Sequence, residues 1–482
     1  MNRRIRQLGV VLSLLFIVLF VQLNNVQVLQ ASKLQDDPRN NRTAVRDFSS
    51  PRGTIQTADG TVIAQSVPSG DDYKQLRQYP QGELFGQITG YFSFNYGNEG
   101  LEKTYNKELT GKKYTLKHIG DLLTDQVQTD NVTITMTRQL QQVAKDALGT
   151  KRGSVVALNP KTGEILAMYS NPSYDPSPLA GHDFAAVTQA WKGLVTNNPD
   201  KPTLPRAYRE SYPPGSTFKV VTSSAAYDRK PELTQRSYPQ LSSMALPLSN
   251  KPLRNFGGEV CGGKLPELLR VSCNTGFAQM GMDMGANNLA AEANAFGFNQ
   301  VPPLDEPSVA KSTFPTAASF KGRTPFLAYS AIGQADVSAT PLQMALVAAG
   351  IANGGVIMKP HLLKEVRDDH GDVVDSGNPA EWLRATSPDT AQQMTQNMVN
   401  VAQSGTATAA RIPGVQVAAK TGTAQTHGDY INAWLVSFAP ANDPKVAVAV
   451  IVENQLGVGE ATGGRIAAPI AQTVMKAALG AS

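Results

Sequence analysis

The sequence predicts an α/β protein in which helices cover a five-stranded antiparallel sheet, together with a small N-terminal domain and one transmembrane helix. Three features predict this fold: an apolar run near the N-terminus, a hairpin pattern after residue 150, and three closely spaced strand patterns near the C-terminus. The chain has 482 residues, of which 41% are hydrophobic and 17% charged. That length suffices for one large core and one smaller domain.

The N-terminus predicts a membrane anchor. Arg3, Arg4 and Arg6 precede an apolar run over 8–21, and the apolarity continues to residue 29. Basic residues stay on the cytoplasmic side, so the rest of the chain should face outward. No clear small-x-small cleavage site follows, which favours an uncleaved anchor over a cleaved signal peptide. We therefore expect a cytoplasmic tail at 1–7 and a membrane span at 8–29.

The segment 30–150 is polar and interrupted by glycines, which is typical of a small pedestal domain. Near its end, alternating apolar residues predict a connecting strand at 132–136, and the following pattern predicts a short helix at 139–148. No internal repeat is visible.

The second domain, 151–482, begins with a predicted hairpin and ends with three strands and a helix. Short loops force neighbouring strands to run antiparallel, and the last strand is apolar on both faces, so helices must cover both sides of the sheet. The predicted strands are 155–158, 164–169, 415–425, 433–438 and 446–452, with turns at 428–429 and 442–444, and the final helix is 466–479.

An SxxK pattern, Ser216 to Lys219, follows a Pro-Pro-Gly turn at 213–215. Prolines are tolerated at the start of a helix, so the turn predicts Ser216 at a helix N-terminus, where free N–H groups favour an oxyanion. Residues three apart share a helix face, so Lys219 can take the proton of the Ser216 hydroxyl. Apolar neighbours should bury the lysine and lower its pKa.

By itself the SxxK pattern recurs by chance, but two further motifs follow in order. Ser272-Cys273-Asn274 offers a hydroxyl that can relay a proton and an amide that can hold a peptide group. Because residues two apart do not share a helix face, this motif should lie in a loop or a helix junction. Helical spacing before it and a helical run over 275–296 after it agree with that placement.

The third motif is Lys420-Thr421-Gly422-Thr423, at the end of an alternating pattern that predicts a strand. Gly422 would let a ligand approach the strand backbone closely. Lys420 and the hydroxyls of Thr421 and Thr423 would form a compact carboxylate site. We expect this strand at the edge of the sheet beside Ser216, with the SxN motif on the opposite wall of the cleft.

With the three motifs in order, the chain resembles the class B penicillin-binding proteins, most closely the penicillin-binding protein A group of actinobacteria. The resemblance implies the penicillin-binding and β-lactamase-like sandwich fold. It covers nearly the whole chain, and segments that carry it besides the motifs are Arg52-Gly53-Thr54-Ile55, Gly100-Leu101-Glu102, 153–168, 172–176 and 339–345.

The resemblance implies a peptidoglycan D,D-transpeptidase that is acylated on Ser216 by stem peptides ending in D-Ala-D-Ala and by β-lactams. It implies Lys219 as the base, Ser272 and Asn274 as the second catalytic element, and the backbone N–H groups of Ser216 and Thr423 as the oxyanion hole. An integral-membrane glycan polymerase is a candidate partner, since the segment before residue 151 is too short for a polymerising domain.

Two other functions stay open: a D,D-carboxypeptidase, in which water replaces the acceptor amine, and a non-catalytic scaffold of the wall-building machinery. A β-lactamase is disfavoured because no residue that would activate a deacylating water is evident. A membrane-anchored β-lactam sensor is disfavoured because it would need a cytoplasmic signalling domain, and the seven residues before the anchor are too few for one. The intact motifs speak against the scaffold.

Composition indicates which partners, metals and cross-links to expect. A net charge of +5 without a dense basic run beyond the N-terminus argues against nucleic acid as a partner. The five histidines lack metal-ligand spacing, so we expect neither a metal nor a cofactor. Cys261 and Cys273 are the only cysteines. In an oxidising compartment they could form a disulfide, and two free buried thiols are equally compatible with the sequence.

Overall fold

The computed structural model describes residues 2–26, 30, 45–46, 48–111, 129–426, 428, 430–456 and 462–480. Parts of several predictions lie outside these residues: the end of the membrane span at 27–29, segments 31–44 and 112–128 of the pedestal, Asp429 of a predicted turn, and the side chains of His118 and His427.

The described strands are β1 (Ile55–Gln56), β2 (Val62–Pro68), β3 (Gln75–Gln78), β4 (Phe92–Ser93), β5 (Gly97–Asn98), β6 (Asn131–Ile134), β7 (Gly153–Leu158), β8 (Ile165–Asn171), β9 (Tyr238–Leu241), β10 (Ser243–Met244), β11 (Leu253–Arg254), β12 (Cys261–Gly263), β13 (Val356–Met358), β14 (Leu363–Arg367), β15 (Val373–Ser376), β16 (Glu381–Arg384), β17 (Ala418–Gln425), β18 (Tyr430–Ala439) and β19 (Val446–Leu456).

The described α-helices are Asn2–Asn24, Gly86–Thr89, Leu101–Thr104, Asn106–Leu109, Arg138–Leu148, Phe184–Trp191, Arg206–Arg209, Lys219–Arg229, Glu232–Gln235, Leu265–Arg270, Asn274–Met284, Ala286–Ala295, Thr324–Ser330, Pro341–Ala352, Pro388–Ser404 and Gly463–Ala478.

The central sheet has five antiparallel strands in the order β17-β18-β19-β7-β8, which confirms the predicted fold. β17 is an edge strand. Helices Pro341–Ala352 and Gly463–Ala478 both pack against β18 and β19. Residues 446–453 of β19 are all buried. Because side chains alternate between the two faces of a strand, this continuous burial means that both faces are covered.

Several element bounds differ from the sequence prediction. β17 begins at Ala418 rather than at residue 415, because Val415 instead pairs with Ile412 in an isolated bridge. The helical run over 275–296 is two helices, which meet at Gly285. The φ of +83° at Gly285 is accessible to glycine and ends the first helix.

A second sheet joins the N-terminal segment to the rest of the chain. Its order is β15-β14-β6-β1-β2-β3, so β14 and β15, from within 151–482, extend a sheet that begins in the predicted pedestal. β6 pairs with β1 in parallel and with β14 antiparallel. The sheet thus crosses the boundary that the sequence suggested at 150.

A buried ion cluster holds the first part of this region together. Glu102 accepts hydrogen bonds from Arg52 Nε and Arg77 Nε, both at 2.6 Å, and all three side chains are buried. The two guanidinium groups lower the pKa of Glu102 against the opposing effect of burial. The contact joins the Arg52 segment to the Gly100-Leu101-Glu102 block, which lies 50 residues later in the sequence.

One helix, Asn2–Asn24, stands apart from both sheets. Within it, Arg3–Asn24 is long and apolar enough to cross a membrane, and this segment is not buried against the rest of the chain.

Candidate active site

Ser216 lies in a tight turn that the surrounding backbone holds from two sides. Tyr212 exchanges backbone hydrogen bonds with Ala339, and Gly215 N donates to Gly333 O at 2.9 Å. Residues Gly215–Phe218 form a 3₁₀ turn, and the α-helix begins only at Lys219. Ser216 therefore lies in the 3₁₀ turn that precedes the helix instead of starting the α-helix, and Gly215 before it takes a φ of +54°.

The edge strand packs directly on this turn. A Cβ atom on Gly422 would lie 2.9 Å from Pro214 O and 2.9 Å from Thr217 Cγ2. The Trp434 indole also donates to Pro213 O at 3.0 Å. The turn that carries Ser216 thus fills the space beside Gly422. The sequence instead predicted that a ligand would approach the strand there.

Lys219 is fully buried and bonded to the SxN motif. Its Nζ donates to Ser272 O and to Asn274 Oδ1, both at 2.7 Å, and lies 3.4 Å from Ser272 Oγ. Burial, and then the charge of Lys420, lower its pKa well below the usual lysine value. Within the described chain the Ser216 hydroxyl has no hydrogen-bond partner, so the predicted contact between Ser216 and Lys219 is not formed in this structure.

The SxN motif lies at a helix junction, as its spacing predicted. Ser272 sits between helices Leu265–Arg270 and Asn274–Met284 and has a φ of +61°, in the left-handed region that disfavours non-glycine residues. A disulfide joins Cys273 to Cys261, with 5.8 Å between the two Cα atoms, which answers the question that the sequence left open. The cross-link ties the Ser272 backbone to the strand β12.

Lys420 is buried, and its ammonium group contacts the Ser272 hydroxyl. Its Nζ donates to Ser272 Oγ at 2.9 Å and to Thr421 O at 2.9 Å, and burial lowers its pKa to about 7. Lys420 does not line the cavity beside Ser216, although Thr421 and Thr423 do. Thr421 and Thr423 of the predicted carboxylate site thus line the cavity, whereas the Lys420 ammonium group contacts Ser272.

Two cavities meet at Ser216. The first has a volume of about 300 Å³ and is lined by residues of both the SxN motif and β17. The placement of these two elements on opposite walls stays a prediction. The second, of about 560 Å³, extends from the same serine toward β11 and helix Thr324–Ser330. The first cavity is lined by Ser216, Asn255, Phe256, Glu259, Cys261, Val271, Ser272, Asn274, Thr406, Thr421, Thr423, Thr462 and Gly464.

Comparison with known proteins places the chain in a family. Residues 153–476 match the penicillin binding protein transpeptidase domain, and residues 52–132 match the penicillin binding protein A dimerisation domain. The chain belongs to the class B penicillin-binding proteins, in the penicillin-binding protein A group. The predicted resemblance is confirmed.

Two curated relatives match over almost the whole chain. The peptidoglycan D,D-transpeptidase PbpA of Mycolicibacterium smegmatis is 41% identical, and that of Mycobacterium tuberculosis is 39% identical; each alignment covers 99% of both chains. Among solved structures, the imipenem acyl-enzyme complex of penicillin-binding protein A from M. tuberculosis has a TM-score of 0.83 at 38% identity, covering 90% of this chain and 100% of that one.

A D,D-transpeptidase domain from Eggerthella lenta is also similar, with a TM-score of 0.79 at 35% identity, covering 90% of this chain and 99% of that chain.

Sequence reasoning missed three hydroxyl and amide groups of this penicillin-binding protein's cleft. Thr406 Oγ1 lies 2.6 Å from Thr421 Oγ1, and Thr462 lines the same cavity. Asn255 accepts from Thr275 N through its Oδ1 at 2.9 Å and thereby ties a cavity loop to the SxN helix. These residues come from distant segments and share no spacing with the motifs, so only the fold brings them to the cleft.

A buried carboxylate anchors the turn that carries Ser216 in this penicillin-binding protein. Glu453, on β19, accepts from the Tyr212 hydroxyl at 2.7 Å, from Arg206 Nε at 3.1 Å and from Arg152 Nε at 2.8 Å. Arg206 is fully buried and Glu453 nearly so. Tyr212 is thereby fixed at its side chain by Glu453 and at its backbone by Ala339.

Proposed function

We propose that this penicillin-binding protein is a peptidoglycan D,D-transpeptidase that cross-links stem peptides through an acyl-enzyme on Ser216. The observation that carries the proposal is the convergence of two buried lysines on one hydroxyl: Lys219 Nζ and Lys420 Nζ lie 3.4 Å and 2.9 Å from Ser272 Oγ, beside the cavity that Ser216 lines.

Lys219 acts as the base in its neutral form. A neutral amine has two N–H donors and one lone pair, and the two 2.7 Å contacts to Ser272 O and Asn274 Oδ1 use both donors. The lone pair remains to accept the proton of Ser216, which lies one 3₁₀ turn earlier on the same side. Catalytic hydrogen bonds are often absent before substrate binds and form in the complex.

Ser272 relays the proton to the leaving group. Once Lys219 is protonated, its ammonium group faces Ser272 Oγ, which can pass a proton to the departing D-alanine amine while Lys420 stabilises the oxygen. The backbone N–H groups of Ser216 and Thr423 hold the oxyanion of the tetrahedral intermediate. An acceptor amine then enters the position that the leaving amine vacated and attacks the ester, and the same groups act in reverse.

The terminal carboxylate of the donor peptide binds in the first cavity. Thr421 and Thr423 line this cavity, and the Thr406 hydroxyl lies 2.6 Å from the Thr421 hydroxyl. The charge of Lys420 is close by, since its Nζ donates to Thr421 O at 2.9 Å. A hydroxyl cluster beside a cation can hold a carboxylate by hydrogen bonds and by charge. β-Lactams carry a carboxylate in the corresponding position and acylate the same serine.

The acyl-enzyme is tested by labelling. The purified protein is incubated with a fluorescent penicillin, and the labelled peptide is mapped; it should contain Ser216. Ser216→Ala should abolish the label, whereas Ser243→Ala, which removes a hydroxyl from the exposed strand β10, should not. Labelling that survives Ser216→Ala would refute the assignment. Incubating a D-Ala-D-Ala peptide with and without an amine acceptor then separates a transpeptidase from a carboxypeptidase by the product.

The remaining proposals concern location, domains and partners. The apolar helix Asn2–Asn24 and the three arginines at its start support a single-pass anchor with 1–7 in the cytoplasm, 8–29 in the membrane, and the pedestal 30–150 and catalytic domain 151–482 outside. A reporter fused after Ser482 should be active only outside the cytoplasm. Recovery of a soluble form with a new N-terminus near Ala31 would indicate a cleaved signal peptide instead.

An integral-membrane glycan polymerase is the proposed partner. Co-purification of the full chain with such a polymerase would test this proposal.

A further inference from the structure

The second cavity has a single charged residue in its lining. Of the described residues that surround it, Arg254 alone carries a charge, and the rest are apolar, amide or hydroxyl groups. Arg254 is exposed, and within the described chain its guanidinium makes no hydrogen bond and no ion pair. An unpaired guanidinium beside a cleft is suited to a carboxylate, which it can bind through two parallel N–H donors.

The backbone of Arg254 is fixed relative to the catalytic groups. Its carbonyl oxygen accepts from Asn274 Nδ2 at 3.1 Å, and the next residue, Asn255, accepts from Thr275 N at 2.9 Å. Asn255 Nδ2 also donates to Leu241 O and to Glu259 O, at 2.7 Å and 2.9 Å. The backbone that carries this cation is therefore fixed beside the SxN motif, while the side chain remains available to a ligand.

The direction of the peptide through the cleft decides which part of the substrate reaches Arg254. Of the two hydroxyl residues proposed to hold the terminal carboxylate, Thr421 lines only the first cavity and Thr423 lines both, so the leaving D-alanine occupies the Thr421 side of Ser216. The acceptor amine attacks from the position that the leaving amine vacated, which places the acceptor on the same side. The second cavity consequently receives the acyl part of the donor, upstream of the bond that is broken.

We propose that Arg254 binds a carboxylate on the acyl part of the donor stem peptide and so makes the enzyme selective for acidic donors. This inference rests on the proposed function, because it takes the acyl-enzyme on Ser216 as given. It assigns Arg254 to substrate selection and not to the chemical step.

Two penicillins that differ by one carboxylate test the proposal. Benzylpenicillin and carbenicillin share the ring carboxylate, and carbenicillin carries an additional carboxylate on the side chain, which corresponds to the acyl part of the donor. The second-order acylation rate constant is measured for both compounds with the protein and its variants. Arg254→Gln should lower the value for carbenicillin about tenfold, the effect expected of one lost charged hydrogen bond, and should leave benzylpenicillin nearly unchanged.

Two control variants show whether an effect of Arg254→Gln is specific to this side chain. Lys251→Gln removes the same charge from the same segment without touching either cavity, so it should leave the ratio of the two rate constants unchanged. Arg254→Lys should restore part of the preference. An unchanged ratio in Arg254→Gln, or an equal loss for both penicillins, would overturn the inference while the proposed function stands. If neither penicillin acylates Ser216 in the unmodified protein, the proposed function itself fails, and the inference with it.

Discussion

Lys420 Nζ donates to Ser272 Oγ at 2.9 Å, and the same oxygen lies 3.4 Å from Lys219 Nζ. Two buried amines thus share one hydroxyl, in a place where burial opposes the charged form of both. The pair accommodates one proton more readily than two. With Lys219 neutral and Lys420 charged, the site holds a base and a cation on either side of Ser272.

Substitutions of Lys219 and Lys420 should therefore impair different steps of acylation. Lys219→Ala should slow acylation by about 10²- to 10⁴-fold with little loss of initial binding, since a proton-transfer step is lost. Lys420→Ala should weaken binding and slow acylation, because the charge near the carboxylate site disappears. Stopped-flow acylation at several β-lactam concentrations separates the two effects.

Arginine variants provide the control for this assignment. Arginine stays protonated, so Lys420→Arg should recover part of the lost rate and Lys219→Arg should recover none. Near-normal acylation by Lys219→Arg would show that Lys219 contributes charge and not basicity.

The pH dependence of acylation should be bell-shaped. The rate should rise with pH as Lys219 loses its proton, at a pH well below the usual lysine value, because burial and Lys420 depress its pKa. It should fall again near pH 7, where Lys420, with a pKa of about 7, loses the charge that supports carboxylate binding. Initial acylation rates measured over a wide pH range record both limbs.

Lys420→Arg again serves as the matched variant, because its cation persists across this range. The descending limb should move to higher pH in this variant, while the ascending limb remains. A descending limb that is unchanged in Lys420→Arg would assign it to another group.

The edge position of β17 and the SxN helix junction could be predicted, because both follow from local pattern: short loops order the strands, and i, i+2 spacing excludes a helix face. The partner of Lys420 could not be predicted: alternation along the strand puts its side chain on the face opposite to Thr421 and Thr423, and only the fold brings Ser272 Oγ to 2.9 Å from its Nζ. Pairing of β6 with β14 joins short strands more than 200 residues apart, which leaves no periodic signal in the sequence. The positive φ of Ser272 is likewise imposed by its surroundings, since serine has no preference for it.

Loss of the Glu453 charge should destabilise the fold. Glu453→Gln would leave the fully buried Arg206 guanidinium with only its longer ion pair, to Glu210 at 3.5 Å, and this loss should cost about 3 kcal/mol. Tyr212→Phe removes one hydrogen bond to the same carboxylate and should cost only about 1 kcal/mol. Denaturant unfolding gives both free energies. Equal costs for the two variants would show that Glu453 acts as a hydrogen-bond acceptor and that its charge is unimportant.

The disulfide between Cys261 and Cys273 should stabilise the folded protein by about 3 kcal/mol, the value that the chain-entropy model gives for a short closed loop. The double variant Cys261→Ala, Cys273→Ala should lose this free energy of unfolding, as should the unmodified protein after reduction. Because Ser272 adjoins the cross-link and holds a left-handed backbone conformation, acylation should slow in parallel with the loss of stability. Denaturant unfolding and acylation are measured with and without reductant, and the double variant, which has no disulfide, should be indifferent to it. An unmodified protein whose unfolding is equally indifferent to reductant would contradict the prediction.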